Sequence, residues 1–222
     1  MGDISYVVVS TPRSGTGWMH RALSAMGLVC GHETHFVCWL QRYGDPNRAG
    51  VWGDSSWLAA PFLGDLPEGV VVTHLVRNPL KSIASLVSLG HFDEWSPAKN
   101  PYKRFMQRHM PGRMPESSTA IERAAWFWVS WHRMIDMHIA SRPCLRPFPR
   151  GAEVARLEEA ESWLPALYGE IVGNPPGEEK LKSAMSVDRE YNTGRGEKPN
   201  IEWGMLPPRV IETAESYGYS AV

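Results

Sequence analysis

Ile4-Ser5-Tyr6-Val7-Val8-Val9-Ser10-Thr11-Pro12-Arg13-Ser14-Gly15-Thr16-Gly17-Trp18 is the stretch whose reading decides the fold. The β-branched run from Ile4 to Ser10 has the pattern of a parallel strand buried on both faces, and Thr11-Pro12 bounds it with a turn. From Gly17 onward, Met19, Leu23 and Met26 recur at helical spacing, and Gly27 supplies a C-terminal stop. The segment therefore reads as strand, loop, helix.

The same order returns at Gly69-Val70-Val71-Val72-Thr73-His74-Leu75-Val76, a second buried strand. Arg77-Asn78-Pro79 follows with proline at a helix start, and Leu80 to Gly90 offers Ile83, Leu86, Val87 and Leu89 for burial. Two such units predict a three-layer α/β fold, a short parallel sheet flanked by helices. At 222 residues the chain exceeds the usual domain of roughly 100–150 residues yet is short for two, so a single domain over residues 1–222 is expected.

Residues 91–115 turn irregular and basic. Lys99, Lys103, Arg104, Arg108 and Arg113 occur between Trp95 and Pro115 with no acidic residue, which reads as a mobile loop or lid. The longest helical pattern runs from Glu116 to about Ala140 through Ile121, Ala125, Trp128, His132, Ile135 and Ile139, with Ser117-Ser118-Thr119 and Glu122 as its cap. Ala152 to Leu157 suits a short strand and Ala160 to Val172 another helix, broken by Asn174-Pro175-Pro176-Gly177; Asn192 to Pro208 reads as loop.

Lys plus Arg total 23 and Asp plus Glu total 24, a net charge of −1, which argues against wholesale binding to nucleic acid or an anionic membrane. Any anion site must be local. A hydrophobic fraction of 43% with 21% charged residues predicts a packed core rather than disorder. Met1 to Tyr6 has no basic leader region, and Tyr6 to Val9 is too short for a signal sequence or membrane span, so a cytoplasmic location is expected. Cys30, Cys38 and Cys144, an odd number, fit a reducing compartment and imply no disulfide framework.

The loop from Thr11 to Trp18 has the chemistry of a phosphate cradle. Small residues and glycines let backbone N–H groups close around an anion, and the helix dipole adds favourable charge there. It is not the common nucleotide loop, which places a lysine before Ser or Thr; here the cation, Arg13, precedes the small residues. The same composition also suits a tight strand-to-helix turn that holds nothing.

Pro12-Arg13-Ser14-Gly15-Thr16 resembles the 5′-phosphosulfate loop of the sulfotransferases that use 3′-phosphoadenosine-5′-phosphosulfate, in the tyrosylprotein, Golgi and bacterial branches where the cation is arginine. The resemblance extends to Arg77, at a strand end, and Ser85, eight residues on in the following helix, which in the family grip the nucleotide's 3′-phosphate. Asn78 departs from the aspartate usual in the family. Arg195-Gly196 is similar to the family's C-terminal basic segment over the nucleotide, and Val154 to Glu159 to its late strand and acidic turn. The resemblance implies a P-loop NTPase-like sulfotransferase fold. It implies that Arg13, Ser14, Gly15, Thr16, Gly17 and Trp18 cradle the 5′-phosphosulfate, that Arg77 and Ser85 hold the 3′-phosphate, and that Arg195 and Gly196 close over the nucleotide. A guanidinium fork suits a terminal phosphate and a helical hydroxyl adds a neutral donor, so two such anion sites imply a two-ended ligand.

Sulfuryl transfer needs a base for the acceptor's proton and a cation for the leaving phosphate. Arg13 suits the second role. Cys30-Gly31-His32-Glu33-Thr34-His35 offers candidates for the first; in the bacterial and Golgi branches a glutamate after this strand serves, so Glu33 is the first choice and His32 the second. Cys30, His32, His35 and Cys38 also form a C-x-H-x-x-H-x-x-C run, but structural zinc sites pair their ligands differently, and no metal is expected. Gly53-Asp54-Ser55-Ser56-Trp57 either caps a helix or lines an acceptor pocket.

The acceptor, a small molecule, glycan or peptide bearing a hydroxyl or amine, is not legible. Two other readings stay open. An atypical kinase needs magnesium ligands and the missing loop lysine. A nucleotide-binding protein with the same fold and no turnover needs only the anion sites.

Overall fold

The computed structural model describes residues 4–36, 52–90, 92–93, 100–114, 118–149, 153–188 and 197–220. β1 (Ile4–Val9) lies at the centre of an all-parallel sheet, with β3 (Trp52–Ser55) on one edge and β4 (Val71–Val76) on the other. β2 (Val29–His32) pairs with the outer edge of β3 and β5 (Arg146–Phe148) with that of β4, giving the order β2-β3-β1-β4-β5. β6 (Ala155–Arg156) joins β4 further along, at Leu75 and Val76.

Strand side chains alternate between faces, and here both faces are covered. Val7, Val9, Val72 and Val76 pack with α2 (Pro79–Val87), α4 (Ala120–Ser141), α7 (Pro208–Ser216) and a 3₁₀ helix (Trp57–Asp65). Tyr6, Val8, Val71 and Leu75 pack on the other side with α1 (Thr16–Ala25), α5 (Ala160–Val172) and α6 (Glu178–Met185). The result is the three-layer α/β arrangement that the two strand–loop–helix units predict. No helix among the described residues is long and apolar enough to cross a membrane.

The cap of α4 is a full capping box: Thr119 Oγ1 accepts from Glu122 N at 3.2 Å, and Thr119 N donates to Glu122 Oε2 at 2.7 Å. The basic segment read as irregular instead contains a helix, α3 (Pro101–His109). Asn100 caps it by accepting from Tyr102 N and Lys103 N, Pro101 occupies its first position, and Phe105 and Met106 are buried. Arg104 and Arg108 mark the solvent face of this amphipathic helix, while Lys103 is buried beside Phe105 and Met106. Of the predicted strand at Ala152 to Leu157, two residues pair, and Leu157–Glu159 turn as a 3₁₀ helix. β3 escapes sequence reading because glycine and aspartate are poor strand formers. Gly53 is needed there: a Cβ would lie 2.3 Å from the Tyr6 ring.

A polar chain, buried at His74, His132 and Tyr217 and half-exposed at Asp136, links the sheet to α4 and α7. Tyr217 donates to Asp136 Oδ2, Asp136 Oδ1 lies 2.9 Å from His74 Nδ1, and His74 Nε2 lies 2.7 Å from His132 Nδ1. His132 is fully buried, and burial first, then the neighbouring His74, hold it well below the ordinary histidine value. The unfolded chain takes up this proton near pH 6.5 while the native ring refuses it, so this residue's contribution falls as pH drops below about 6.5, by up to ~1.4 kcal/mol per pH unit. Glu33 and Asp54, whose native carboxyls are raised, oppose the trend, so a variant isolates it. Between pH 6.5 and 5.5, urea denaturation is expected to show wild type losing roughly 1 kcal/mol more than His132→Asn, which keeps a donor toward His74.

Candidate functional site

Parallel α/β sheets present ligand sites at the carboxyl ends of their strands, where the strand order reverses. In this sheet that place is the end of β1. Ser10 Oγ donates to Leu75 O at 2.5 Å, tying β1 to β4 just before the chain turns. Thr11 Oγ1 and Ser14 Oγ then lie 2.6 Å apart, and Ser14 Oγ lies 3.3 Å from Ser82 Oγ on α2. Arg13 and Gly15 both adopt left-handed backbone, with φ of 68° and 99°.

Gly15 is the N-cap of α1, and no side chain caps that helix or α5, α6 and α7, whereas Asn78, Asn100 and Thr119 cap α2, α3 and α4. The first-turn N–H groups of a helix have no intrahelical partner, so α1 points its dipole and its donors into the loop. A Cβ on Gly15 would lie 2.6 Å from Leu157 Cδ2, so the 3₁₀ turn after β6 packs directly on the loop.

The second motif meets the first. Arg77 Nη1 donates to Arg13 O at 3.0 Å, and Arg13 Nε donates to the buried Ser85 Oγ at 2.9 Å. The Arg13 side chain thus bridges the loop and α2, joining two motifs that sequence reading assigned to opposite ends of a ligand. Asn78, the departure from the family pattern, caps α2 by accepting from Lys81 N at 3.3 Å. Its N–H donates to Glu158 Oε1 at 3.1 Å, and Glu158 Oε2 accepts from Tyr219 at 2.7 Å. Glu158 and Tyr219 thereby pin the late acidic turn and the C-terminal segment over the Arg77 loop. Sequence reading noted the acidic turn and gave no signal for Tyr219.

The base candidates stand at the end of β2, beside the loop. His32 Nε2 lies 3.4 Å from Thr16 Oγ1 and would be 3.6 Å from a Cβ on Gly17. Burial, then the nearby His20, hold His32 below its ordinary value. Glu33 Oε1 lies 3.8 Å from His32 Nε2, and burial followed by the Asp54 charge push the Glu33 carboxyl up to about 6, opposed by a hydrogen bond with Trp57. Glu33 also has left-handed backbone, φ 59°. Among the described residues, Arg13 and Glu33 are the two non-glycine residues with positive φ, and such strain clusters at functional sites.

Trp18 belongs to the loop by its backbone alone: its indole is buried in the layer formed by α1, α5 and α6 and donates to Val187 O at 3.1 Å. Arg195 and Gly196 lie outside the described residues. So does Cys38 of the C-x-H-x-x-H-x-x-C run. Of its other members, Cys30 Sγ bonds Gly31 O and His35 packs on the rings of Phe36 and Trp52, and no metal-holding cluster of three such side chains occurs among the described residues. In the polar cluster around residue 54, Ser56 caps the 3₁₀ helix by accepting from Leu58 N, while Asp54 and Ser55 end β3. Compared with known proteins, the chain matches no family model and no curated protein.

The fit of Gly15 against Leu157 is open to direct test. Gly15→Ala adds both a φ conflict and a methyl clash, and is expected to cost roughly 1–3 kcal/mol in urea denaturation. In a double-variant cycle, Gly15→Ala should cost less in a Leu157→Ala background than in wild type, because the clash is gone while the backbone strain stays in place.

Proposed function

We propose that this chain is a sulfotransferase, moving a sulfuryl group from 3′-phosphoadenosine-5′-phosphosulfate to a hydroxyl or amine of a small-molecule, glycan or peptide acceptor. One observation carries the reading. The N-terminus of α1, the Arg13 loop, Arg77 and Ser85 converge at the carboxyl end of the central strand, and the resemblance assigns these same residues to the donor's two phosphate groups.

In this reading the α1 N-terminus and the loop from Arg13 to Gly17 receive the 5′-phosphosulfate, with Arg13 turning from Ser85 toward it. Arg77 and Ser85 receive the 3′-phosphate, a charged fork and a neutral hydroxyl on the same oxygens. Glu33, ionised above about pH 6, accepts the proton from the acceptor as its oxygen or nitrogen bonds to sulfur. The bond from sulfur to the bridging phosphate oxygen breaks, and adenosine 3′,5′-bisphosphate leaves with the electron pair, its charge balanced by Arg13 and the helix N-terminus. The neutral His32 is the alternative acceptor of the same proton.

Thermal denaturation with adenosine 3′,5′-bisphosphate, AMP, or ATP plus magnesium tests the donor site. A ligand at about a hundred times its Kd adds roughly 2.7 kcal/mol, several degrees in Tm for a chain of this size. A shift with the bisphosphate that AMP does not reproduce is expected, and a shift with ATP and magnesium alone would move the reading to a kinase. Arg77→Ala should weaken bisphosphate binding by roughly 1.5–3 kcal/mol, about 10- to 150-fold. An undiminished affinity in that variant removes Arg77 from the site.

Turnover carries its own signature. Glu33 works only when deprotonated, so the rate of transfer from labelled donor should fall as pH drops through about 6. Glu33→Gln should lower kcat by roughly 10²- to 10⁴-fold and abolish that acid limb. If the limb persists in Glu33→Gln and disappears in His32→Ala, the base is His32.

A further inference from the structure

Asp54 is wholly buried at the end of β3, and nothing in the roles assigned above uses it. Its two carboxylate oxygens are divided between successive main-chain donors: Oδ1 accepts from Thr34 N at 3.2 Å and Oδ2 from His35 N at 3.0 Å. Those are the residues immediately after Glu33. Across the β2–β3 ladder Asp54 stands opposite Gly31, and a Cβ on Gly31 would lie 2.6 Å from Asp54 Oδ1 and 2.9 Å from Thr34 Cβ. The next residue, Ser55, accepts from Glu33 N through its carbonyl at 3.3 Å, and its hydroxyl donates to Thr16 O at 2.8 Å.

We infer that Asp54 is the positioning residue for Glu33, clamping the turn at residues 33–35 from below while Ser55 ties that turn to the phosphate loop. The proposal rests on the sulfotransferase reading for its purpose, and on the geometry alone for its substance. Left-handed backbone at Glu33 is unfavourable for a non-glycine residue, and it persists because hydrogen bonds on both sides over-determine it. The buried carboxylate acts on Glu33 in a second way, as a like charge. Tyr6 of β1 and Cys30 of β2 are the other titratable groups facing Asp54, while His32 is the one facing Glu33, which also has a hydrogen bond with Trp57. Both Tyr6 and Cys30 are held protonated by burial, so neither adds a further negative charge.

Carboxyl-carbon NMR on isotopically labelled protein reads both midpoints with no substrate present. In Asp54→Asn one oxygen still accepts while the charge and the second acceptor are lost. The Glu33 midpoint is expected to fall from about 6 by roughly half a pH unit or more, toward the ordinary carboxylate value. Amide exchange at Thr34 and His35 should quicken in the same sample. A folded Asp54→Asn protein whose Thr34 and His35 amides exchange no faster overturns the proposal. If that variant does not fold, wild type carries the test: protection of those two amides, corrected for intrinsic exchange, should weaken as Asp54 takes up its proton through about pH 6, and protection that ignores that proton overturns the proposal equally. Adenosine 3′,5′-bisphosphate binding is measured on the same wild-type sample. Its absence sinks the donor reading alone, whereas unchanged amide protection sinks the role of Asp54 alone.

Discussion

Everything in this structure depends on the burial of β1 on both faces and both edges. Val7 and Val9 face one helical layer, Tyr6 and Val8 the other, and β3 and β4 occupy its two hydrogen-bonding sides. A strand so enclosed leaves the chain one exit, past its carboxyl end. There the backbone must reverse direction within a few residues, which requires left-handed geometry at Arg13 and Gly15. The same reversal aims the start of α1 at the sheet edge. The start of α1 is left without a side-chain cap, its first-turn N–H groups facing the loop.

Because the sheet is parallel throughout, every strand ends on the same side. Arg13 follows β1, His32 and Glu33 end and follow β2, Asp54 and Ser55 close β3, Arg77 follows β4, and Leu157 and Glu158 follow β6. Residues distant in sequence therefore meet along one edge. The hydroxyls that join them, Thr11, Ser14, Ser82 and Ser85, are buried and bonded to one another or to Arg13. A buried hydroxyl without a partner is costly, so this network keeps the edge ordered before any ligand arrives.

What was legible in the sequence is what local chemistry dictates. β1 and β4 announce themselves by β-branched runs, α4 by its period and its capping box, and Arg13, Arg77 and Ser85 by residue type at strand ends. β3 is hidden, because Trp52-Gly53-Asp54-Ser55 becomes a strand through tertiary packing: Gly53 admits the Tyr6 ring and Asp54 finds its partners on the neighbouring turn. α3 was misread because five cations in a segment suggest a solvated loop, while the two residues that anchor it, Phe105 and Met106, are a small signal beside them. The contacts of Asp54 and Glu158, and Tyr219 altogether, lie out of the sequence's reach for one reason. Each acts on a residue whose proximity is set by strand register or by the path of the C-terminus, which no local pattern encodes.

The position of the loop's cation separates this cradle from the lysine-bearing nucleotide loop. A lysine placed after the glycines extends from the first turn of the helix over the bound phosphates. Arg13 instead sits before the turn, on left-handed backbone, and its side chain runs back to Ser85 on α2. A planar fork with several donors can hold Ser85 with one nitrogen and leave others directed at the loop, which a lysine ammonium at that position could not do with comparable geometry. The strain at Arg13 is thus tied to the choice of cation: the backbone conformation that closes the loop is also the one that lets a single guanidinium span the loop and α2. Glu33 repeats the device two strands over, with φ 59° held by Asp54 and Ser55, so the two strained residues face the same edge from either side of β3 and each is locked by the element next to it.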